Sequence, residues 1–455
     1  MSITAINPAT GSELETFKEM TMGDVHEIVQ AADAAFQDWR RISFEARVAP
    51  MRKAAAILRE RAAEFGRLMA LEMGKPVGDG KAEAEKCAWV CEYYADNAER
   101  FLSAQRVETD ASKSLVTFQP IGVVLAVMPW NFPCWQVFRF AAPALMAGNA
   151  GLLKHASNVP GCARAIEEVF RDAGFPGNLF RTLFIGSGDV ATVIEHPLVR
   201  AVTLTGSTAA GRAVGAKAGE MLKKSVLELG GSDPYIILED ADLDRAVPAC
   251  VKSRLINSGQ SCIAAKRFIV VESLREEFER RFVEEMKKAV VGDPTDDRTT
   301  VGPLARRDLR DELHGQVEAS VKKGARLLIG GVVPEGAGAY YPPTVLTDVT
   351  PGMPAYDDEL FGPVAAIISA ADEADAIRIA NDTVFGLGAA VFTRDAALGE
   401  RIATTELDAG CCFVNGFVRS DPRLPFGGVK ESGYGRELAD VGIREFVNIK
   451  TVYVE

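Results

Sequence analysis

Residues 121–155, IGVVLAVMPWNFPCWQVFRFAAPALMAGNAGLLKH, decide the architecture. An apolar run with β-branched residues (121–129) ends at a proline, a helical stretch follows to about Leu145, and a second apolar run, GLLKH (151–155), comes after a glycine turn. Strands that are apolar on both faces and alternate with helices belong to a parallel sheet covered on both sides. The alternation continues through a helix from Pro160, RTLFIG (181–186), AVTLTG (201–206), a helix from Thr208 and SVLEL (225–229). A second series begins after 234, with strands near YIIL (235–238), FIVV (268–271), VAAIIS (364–369) and AAVF (389–392). The expected fold class is α/β, with two parallel-sheet domains of Rossmann type. Such sheets bind ligands at the carboxyl ends of their strands.

Before this core, residues 24–73 carry apolar positions at helical spacing (Ile57, Leu58, Phe65, Leu68, Leu71), and a further helix is expected over about 79–100. QRVETDASKSLVTFQP (105–120) reads as a polar β-hairpin outside the core. The end of the chain, FVNIKTVYVE (446–455), alternates like a strand and is expected to pair with that hairpin in a neighbouring subunit.

A chain of 455 residues exceeds one ordinary core, and 47% hydrophobic with 25% charged residues is a globular balance. A net charge of −12, with basic clusters no longer than Arg306-Arg307 and Lys322-Lys323, argues against nucleic-acid binding. The start, MSITAINPATGSELETF, has neither a basic nor an apolar leader region, and no apolar run reaches the ~18 residues that span a bilayer. A soluble, cytoplasmic protein without membrane contact is expected. Eight cysteines without zinc-like spacing, and only four histidines, predict reduced thiols and no metal site. Cys87 and Cys91 stand one helical turn apart, but no second pair completes a metal site.

Three turns carry the chemistry. Cys262 lies in NSGQSCIAAKR (257–267), Glu228 in LELGGSDPY (227–235) and Asn131 in MPWNFP (128–133). A thiol, a carboxylate and a side-chain amide are what oxidation of an aldehyde through a thioester requires: attack, oxyanion support and water activation. GSGDVA (186–191) fits the G-x-G-x-x-[GA] pattern that places a pyrophosphate at a helix N-terminus, although no acidic residue follows about 20 positions later. Gly206-Ser207 opens another helix, where Ser serves either as an ordinary N-cap or as a phosphate contact. A cysteine hydrolase or acyltransferase is the competing class, but it calls for a histidine base, and none of His26, His155, His196 and His314 lies near Cys262 in sequence.

The motifs PWNFP (129–133), LLKHAS (152–157), LTGS (204–207), LELGG (227–231), GQSC (259–262), ELFGPV (359–364) and LPFGGVKESGYGRE (424–437) resemble, in order and over the whole length, those of NAD(P)-dependent aldehyde dehydrogenases. KHASNVP and GQSCIAAKRFIV are similar to the bacterial succinate-semialdehyde branch of that superfamily. The resemblance implies residues 1–102 and 121–229 as the NAD(P)-binding domain, 230–444 as the catalytic domain, and 103–120 with 445–455 as an oligomerisation element of a homodimer or homotetramer. It implies Cys262 as nucleophile, Asn131 with the Cys262 N–H as oxyanion holder, and Glu228 as the base that activates water on the thioester. Glu359 and Phe361 are implied at the nicotinamide ribose and ring, with Trp130, Leu229, Gly186, Gly206 and Ser207 completing the cofactor contacts.

Further implications concern selectivity. Where many relatives have a glutamate facing the adenosine ribose, Ser157 stands beside Lys154, so NADP is expected to be preferred and NAD also used. Ser157 has an alternative place as a helix N-cap. Arg139, eight residues past Asn131, matches the arginine that grips a remote substrate carboxylate, with Ser420 and Phe426 also implied at the substrate. A second arginine of some relatives is absent, since Ile256 stands at that position, and Arg254 or Arg419 is the expected substitute. Broader use of small aldehydes stays open as an alternative. Ala264 replaces the second cysteine that in some relatives closes a disulfide with the nucleophile.

Overall fold

In a computed structural model, described here for residues 2–455, the two predicted series of strands form two sheets. The first has six strands in the order Gly433–Tyr434, Lys224–Glu228, Val199–Thr205, Val123–Met128, Ala150–His155, Phe180–Thr182. All neighbours are parallel except Gly433–Tyr434, which runs antiparallel to Lys224–Glu228 and so brings the late GYGRE motif to the edge of the early sheet. The second sheet has seven strands, with Asp233–Ile237 between Ala265–Val271 and Gly388–Phe392, and an antiparallel edge strand at Arg326–Ile329.

The helix Trp135–Ala147 is buried along its whole length, because it lies between the first sheet and the helix Val77–Leu102. Its N-terminal amides would be orphaned in that setting. Glu83 satisfies two of them, accepting from the N–H groups of Cys134 and Trp135 at 2.9 Å each. The buried Lys75 ion-pairs with the same carboxylate.

The C-terminal strand corrects one expectation. Val447–Val454 pairs antiparallel with Lys113–Pro120 of its own chain, in register from Val447 opposite Pro120 to Val454 opposite Lys113. Gln105–Arg106 completes this three-stranded sheet. The hairpin and the terminus meet within the chain because Asn149 clamps the start of that strand, its Nδ2 donating to the Phe446 carbonyl at 2.9 Å. Among the described residues no helix is long and apolar enough to cross a membrane, and no group of three or more His, Cys, Asp or Glu is placed to hold a metal ion.

Candidate active site

The loop before the Ala265–Val271 strand is tightly specified. After the helix Leu243–Leu255, Asn257 and Ser258 both take left-handed backbone angles (φ 52° and 56°), followed by Gly259 at φ 79°. A Cβ on Gly259 would stand 2.2 Å from the Gly362 carbonyl oxygen, so only glycine fits. Strain of this kind persists where surroundings over-determine it. Here Asn257 Nδ2 donates to the carbonyls of Asn131 (2.7 Å) and Gln260 (3.0 Å), and Asn131 Nδ2 donates to the same Gln260 carbonyl at 3.1 Å. Buried Lys266 then gathers the carbonyls of Ser261, Cys262 and Ala264 at 2.8–3.2 Å and pairs with Glu359 at 3.3 Å. Cys262 and Asn131, 131 positions apart in the chain, thereby share one rigid unit.

Cys262 is part-exposed and lies between two hollows. On one side is a cavity of about 200 Å³ whose walls include Lys86, Trp135, Arg139, Arg419, Ser420 and Phe426. On the other is a cleft of about 640 Å³ with Trp130, Asn131, Gly206, Ser207, Leu229, Glu359 and Phe361 on its walls. Cys262 is the one described residue that lines both. Trp130 and Phe361 meet edge to face at 5.7 Å, and Glu359 accepts from the Gly231 N–H at 3.0 Å. Ser207 caps the helix Thr208–Glu220, accepting from the Ala210 N–H at 3.3 Å.

The third hollow, about 910 Å³, takes in Lys154, Ser157 and Gly186 together with Arg306 and Arg307. Lys154 is only 8% exposed and has no ion-pair partner among the described residues, and burial lowers its ammonium pKa. An uncompensated buried cation on a cavity wall beside an exposed serine fits a phosphorylated dinucleotide. Ser157 is not the helix N-cap: the helix Pro160–Ala173 starts after Val159, which makes no side-chain cap, and its amides at Gly161 and Cys162 are taken by the buried Glu72 carboxylate (2.7 and 2.9 Å). The Ser157 side chain is thereby left to the hollow.

Burial dominates the electrostatics. It pushes the Cys262 thiol up to about 12, against the smaller downward pull of Arg139 and Lys266, so the resting thiol is neutral. Glu228 is driven well above the carboxylate range by burial, and neither of its oxygens has a hydrogen-bond partner. It lines neither of the cavities that meet at Cys262; its carboxylate rests against Gly427, where a Cβ would come within 2.7 Å of Oε1.

Arg139 is 2% exposed, ion-paired to buried Glu437, 3.3 Å from Thr205 Oγ1 and stacked over Phe426 at 4.6 Å. Arg254 does not substitute for a second substrate arginine. It is fully buried behind the nucleophile loop, donating to the Gly259 carbonyl at 2.6 Å, whereas Arg419 does line the cavity. Sequence reasoning missed Lys266, Asn257, Glu83 and Lys86. Lys266 had a signal in its place four residues past the thiol. Asp79, Ala82, Glu83 and Lys86 had one in their i, i+3, i+4, i+7 spacing, which puts them on one helix face toward the cavity.

Comparison with known proteins agrees with this geometry. The sequence pattern of the aldehyde dehydrogenase family matches residues 1–452. The chain is 50% identical over 457 residues, all of both chains, to a Mycobacterium leprae protein named succinate-semialdehyde dehydrogenase (NADP(+)). It is 47% identical to an Escherichia coli protein named succinate semialdehyde dehydrogenase (NAD(P)+), covering 99% of this chain and 97% of that one. A crystal structure of succinic semialdehyde dehydrogenase from Streptococcus pyogenes in complex with NADP+ superposes with a TM-score of 0.97 at 37% identity over 99% of each chain. A thiol and a side-chain amide locked into one unit between a small cavity and a larger cleft, in a chain matched end to end by these relatives, belong to a member of the aldehyde dehydrogenase family.

Proposed function

We propose that the protein oxidises succinate semialdehyde to succinate with NADP as preferred acceptor and NAD as a second one. The single observation that carries this reading is Cys262 as the residue common to the small cavity and the cofactor cleft. Two relatives and one solved neighbour carry that substrate in their names, two of these with NADP(+) alone.

The chemistry follows from the positions of the groups. The Cys262 thiol gives up its proton to water, its sulfur bonds to the aldehyde carbon as the C=O π bond opens, and the oxyanion that forms is held by Asn131 Nδ2 and the Cys262 N–H, a type of support worth about 3–4 kcal/mol per donor. Glu359, Phe361 and Trp130 would hold the nicotinamide of a bound dinucleotide, Lys154 and Ser157 its adenosine phosphate, and Gly186, Gly206, Ser207 and Leu229 the rest of its length; once bound, it would supply the hydride acceptor. Loss of hydride leaves a thioester on Cys262. Glu228, ionised once it turns from its buried shelf on Gly427 toward the wet thioester, takes a proton from water; the hydroxyl adds to the thioester carbon, the C–S bond breaks, and the acid leaves with Cys262 restored as thiolate. Arg139, Arg419, Ser420 and Phe426 surround the rest of the substrate.

Residues 1–102 and 121–229 serve as the cofactor domain and 230–444 as the catalytic domain in this reading. The three-stranded sheet leaves Ile449, Tyr453 and Val454 exposed at 60%, 50% and 47%, which supports self-association into a dimer or tetramer. Eight unpaired thiols suit a reducing, cytoplasmic setting. The test is a steady-state comparison of succinate semialdehyde, glutarate semialdehyde and uncharged aldehydes with both cofactors. Reduction of NADP by succinate semialdehyde with the highest kcat/KM is expected, and absence of reduction with every aldehyde would overturn the reading.

A further inference from the structure

The buried charges around the small cavity, Glu83 and Arg139, are paired; of the other three that line it, Asp79 and Arg419 are exposed and Lys86 is part-buried. Glu83 is paired with Lys75 and caps the helix Trp135–Ala147; Arg139 is paired with Glu437; Asp421 is paired with Arg423 at 2.7 Å. Arg419 is exposed at the mouth and stacks over Phe417 at 5.6 Å. Lys86, on the helix Val77–Leu102, has no ion-pair partner among the described residues. Its Nζ is fixed by a 2.7 Å hydrogen bond to the buried Ser420 Oγ and lies 4.2 Å over the Trp135 ring. An ammonium held in a mainly apolar cavity without a counter-ion is costly unless a ligand brings the missing negative charge.

We propose that Lys86, with the Ser420 hydroxyl, is the seat that selects aldehydes bearing a distal carboxylate, and that Arg139 acts mainly through its bond to Glu437. This rests on the small cavity being the aldehyde site. Discrimination then comes from a part-buried ammonium fixed inside a cavity whose buried charges are already neutralised, with the unpaired Asp79 and Arg419 held out at exposed positions. A free carboxylate closes the charge balance, and an uncharged aldehyde of similar length leaves it open.

The titration of Lys86 gives an independent readout. Burial pulls its ammonium pKa down to about 8, with Arg139 pushing the same way and Cys87, Glu83 and Asp421 opposing. Burial holds Cys87 far above this range, and pairing with Arg423 holds Asp421 low. The seat is therefore charged below about pH 8 and neutral above it, while the substrate carboxylate stays ionised throughout. Changes at Cys262 or Glu228 act on every aldehyde alike and cancel in a ratio of two substrates.

The experiment measures kcat/KM for succinate semialdehyde and for butanal with NADP, in the wild type, Lys86→Met and Lys86→Arg, from about pH 7 to about pH 9.5. For Lys86→Met the ratio of the two constants is expected to fall about tenfold or more, chiefly through KM for the charged aldehyde. The wild-type ratio is expected to fall as pH rises through about 8, and Lys86→Arg to hold its ratio to higher pH because a guanidinium keeps its charge. A wild-type ratio flat with pH, or a Lys86→Met ratio equal to wild type, overturns the seat. Wild-type protein that oxidises neither aldehyde overturns the proposed function instead.

Discussion

The two hollows that meet at Cys262 are built by different means. The larger cleft is lined by the turns after strand ends at Pro129–Asn131, Thr205–Ser207 and Leu229–Gly230, by Glu359 and Phe361 ahead of the Val364–Ala370 strand, and by Leu309, Glu312, Leu313 and Gln316 of the helix Arg307–Lys322. The small cavity is made from the faces of two helices, Val77–Leu102 and Trp135–Ala147, closed by the 256–263 and 419–426 loops, and long charged side chains are buried in its walls. A parallel sheet offers a binding edge by its topology alone. A helix-walled cavity has to be specified residue by residue, and its buried charges have to be matched in pairs.

That contrast can be broken first at the shared residue. Cys262→Ser is expected to lower kcat/KM by at least about a thousandfold with every aldehyde, since a serine hydroxyl is the weaker nucleophile, while fluorescence titration still shows cofactor binding. Loss of both together would mean that Cys262 supports the cleft rather than the reaction. Next, the aldehyde side is expected to depend on its ion pairs. Arg139→Met strands Glu437 in the interior and should lower unfolding stability by about 3–5 kcal/mol, with much of it regained in the Arg139→Met, Glu437→Gln double variant. Equal denaturant midpoints for the single and double variants would refute the pairing.

A third effect separates the two half-reactions. Glu228→Gln is expected to release about one equivalent of reduced cofactor and then turn over roughly a hundredfold more slowly, with an acyl group on Cys262 visible by mass spectrometry of quenched samples. A full-rate steady state would remove Glu228 from water activation. The smallest effect belongs to the cofactor side: Ser157→Glu should cut kcat/KM for NADP by about tenfold and spare NAD, because a carboxylate repels the additional phosphate and accepts ribose hydroxyls. Equal losses with both cofactors would place Ser157 away from that phosphate.

How far each hollow was legible follows from its construction. The cleft motifs are each contiguous in the chain, so PWNFP, LTGS and LELGG read directly as turns after strands, whereas ELFGPV, ahead of its strand, was legible only by resemblance. Arg139 was legible as a helix residue eight positions past Asn131 and able to face the same channel, yet its partner Glu437, 298 positions later, was not. Arg254 looked available because it sits eight residues before Cys262, but the helix end turns it inward, onto the Gly259 carbonyl. Ser157 carried two readings in sequence, and the capping of the next helix by Glu72, 89 positions before Gly161, removed one of them. The C-terminal strand was recognisable by its alternation, but alternation names no partner, and the ladder with Lys113–Pro120, started by the Asn149 clamp, shows that it stays with its own chain.

The sequence by itself determined the α/β alternation, the two parallel series and the order of the thiol, carboxylate and amide, because periodicity and turn chemistry are local properties. The tertiary structure decided which charges are spent on one another. Lys75 and Arg139 are neutralised by Glu83 and Glu437, whereas Lys86 and Lys154 are left unpaired on the walls of the hollows. Charge compensation in a buried site is set by distance through space at low dielectric, and separation along the chain carries no record of it.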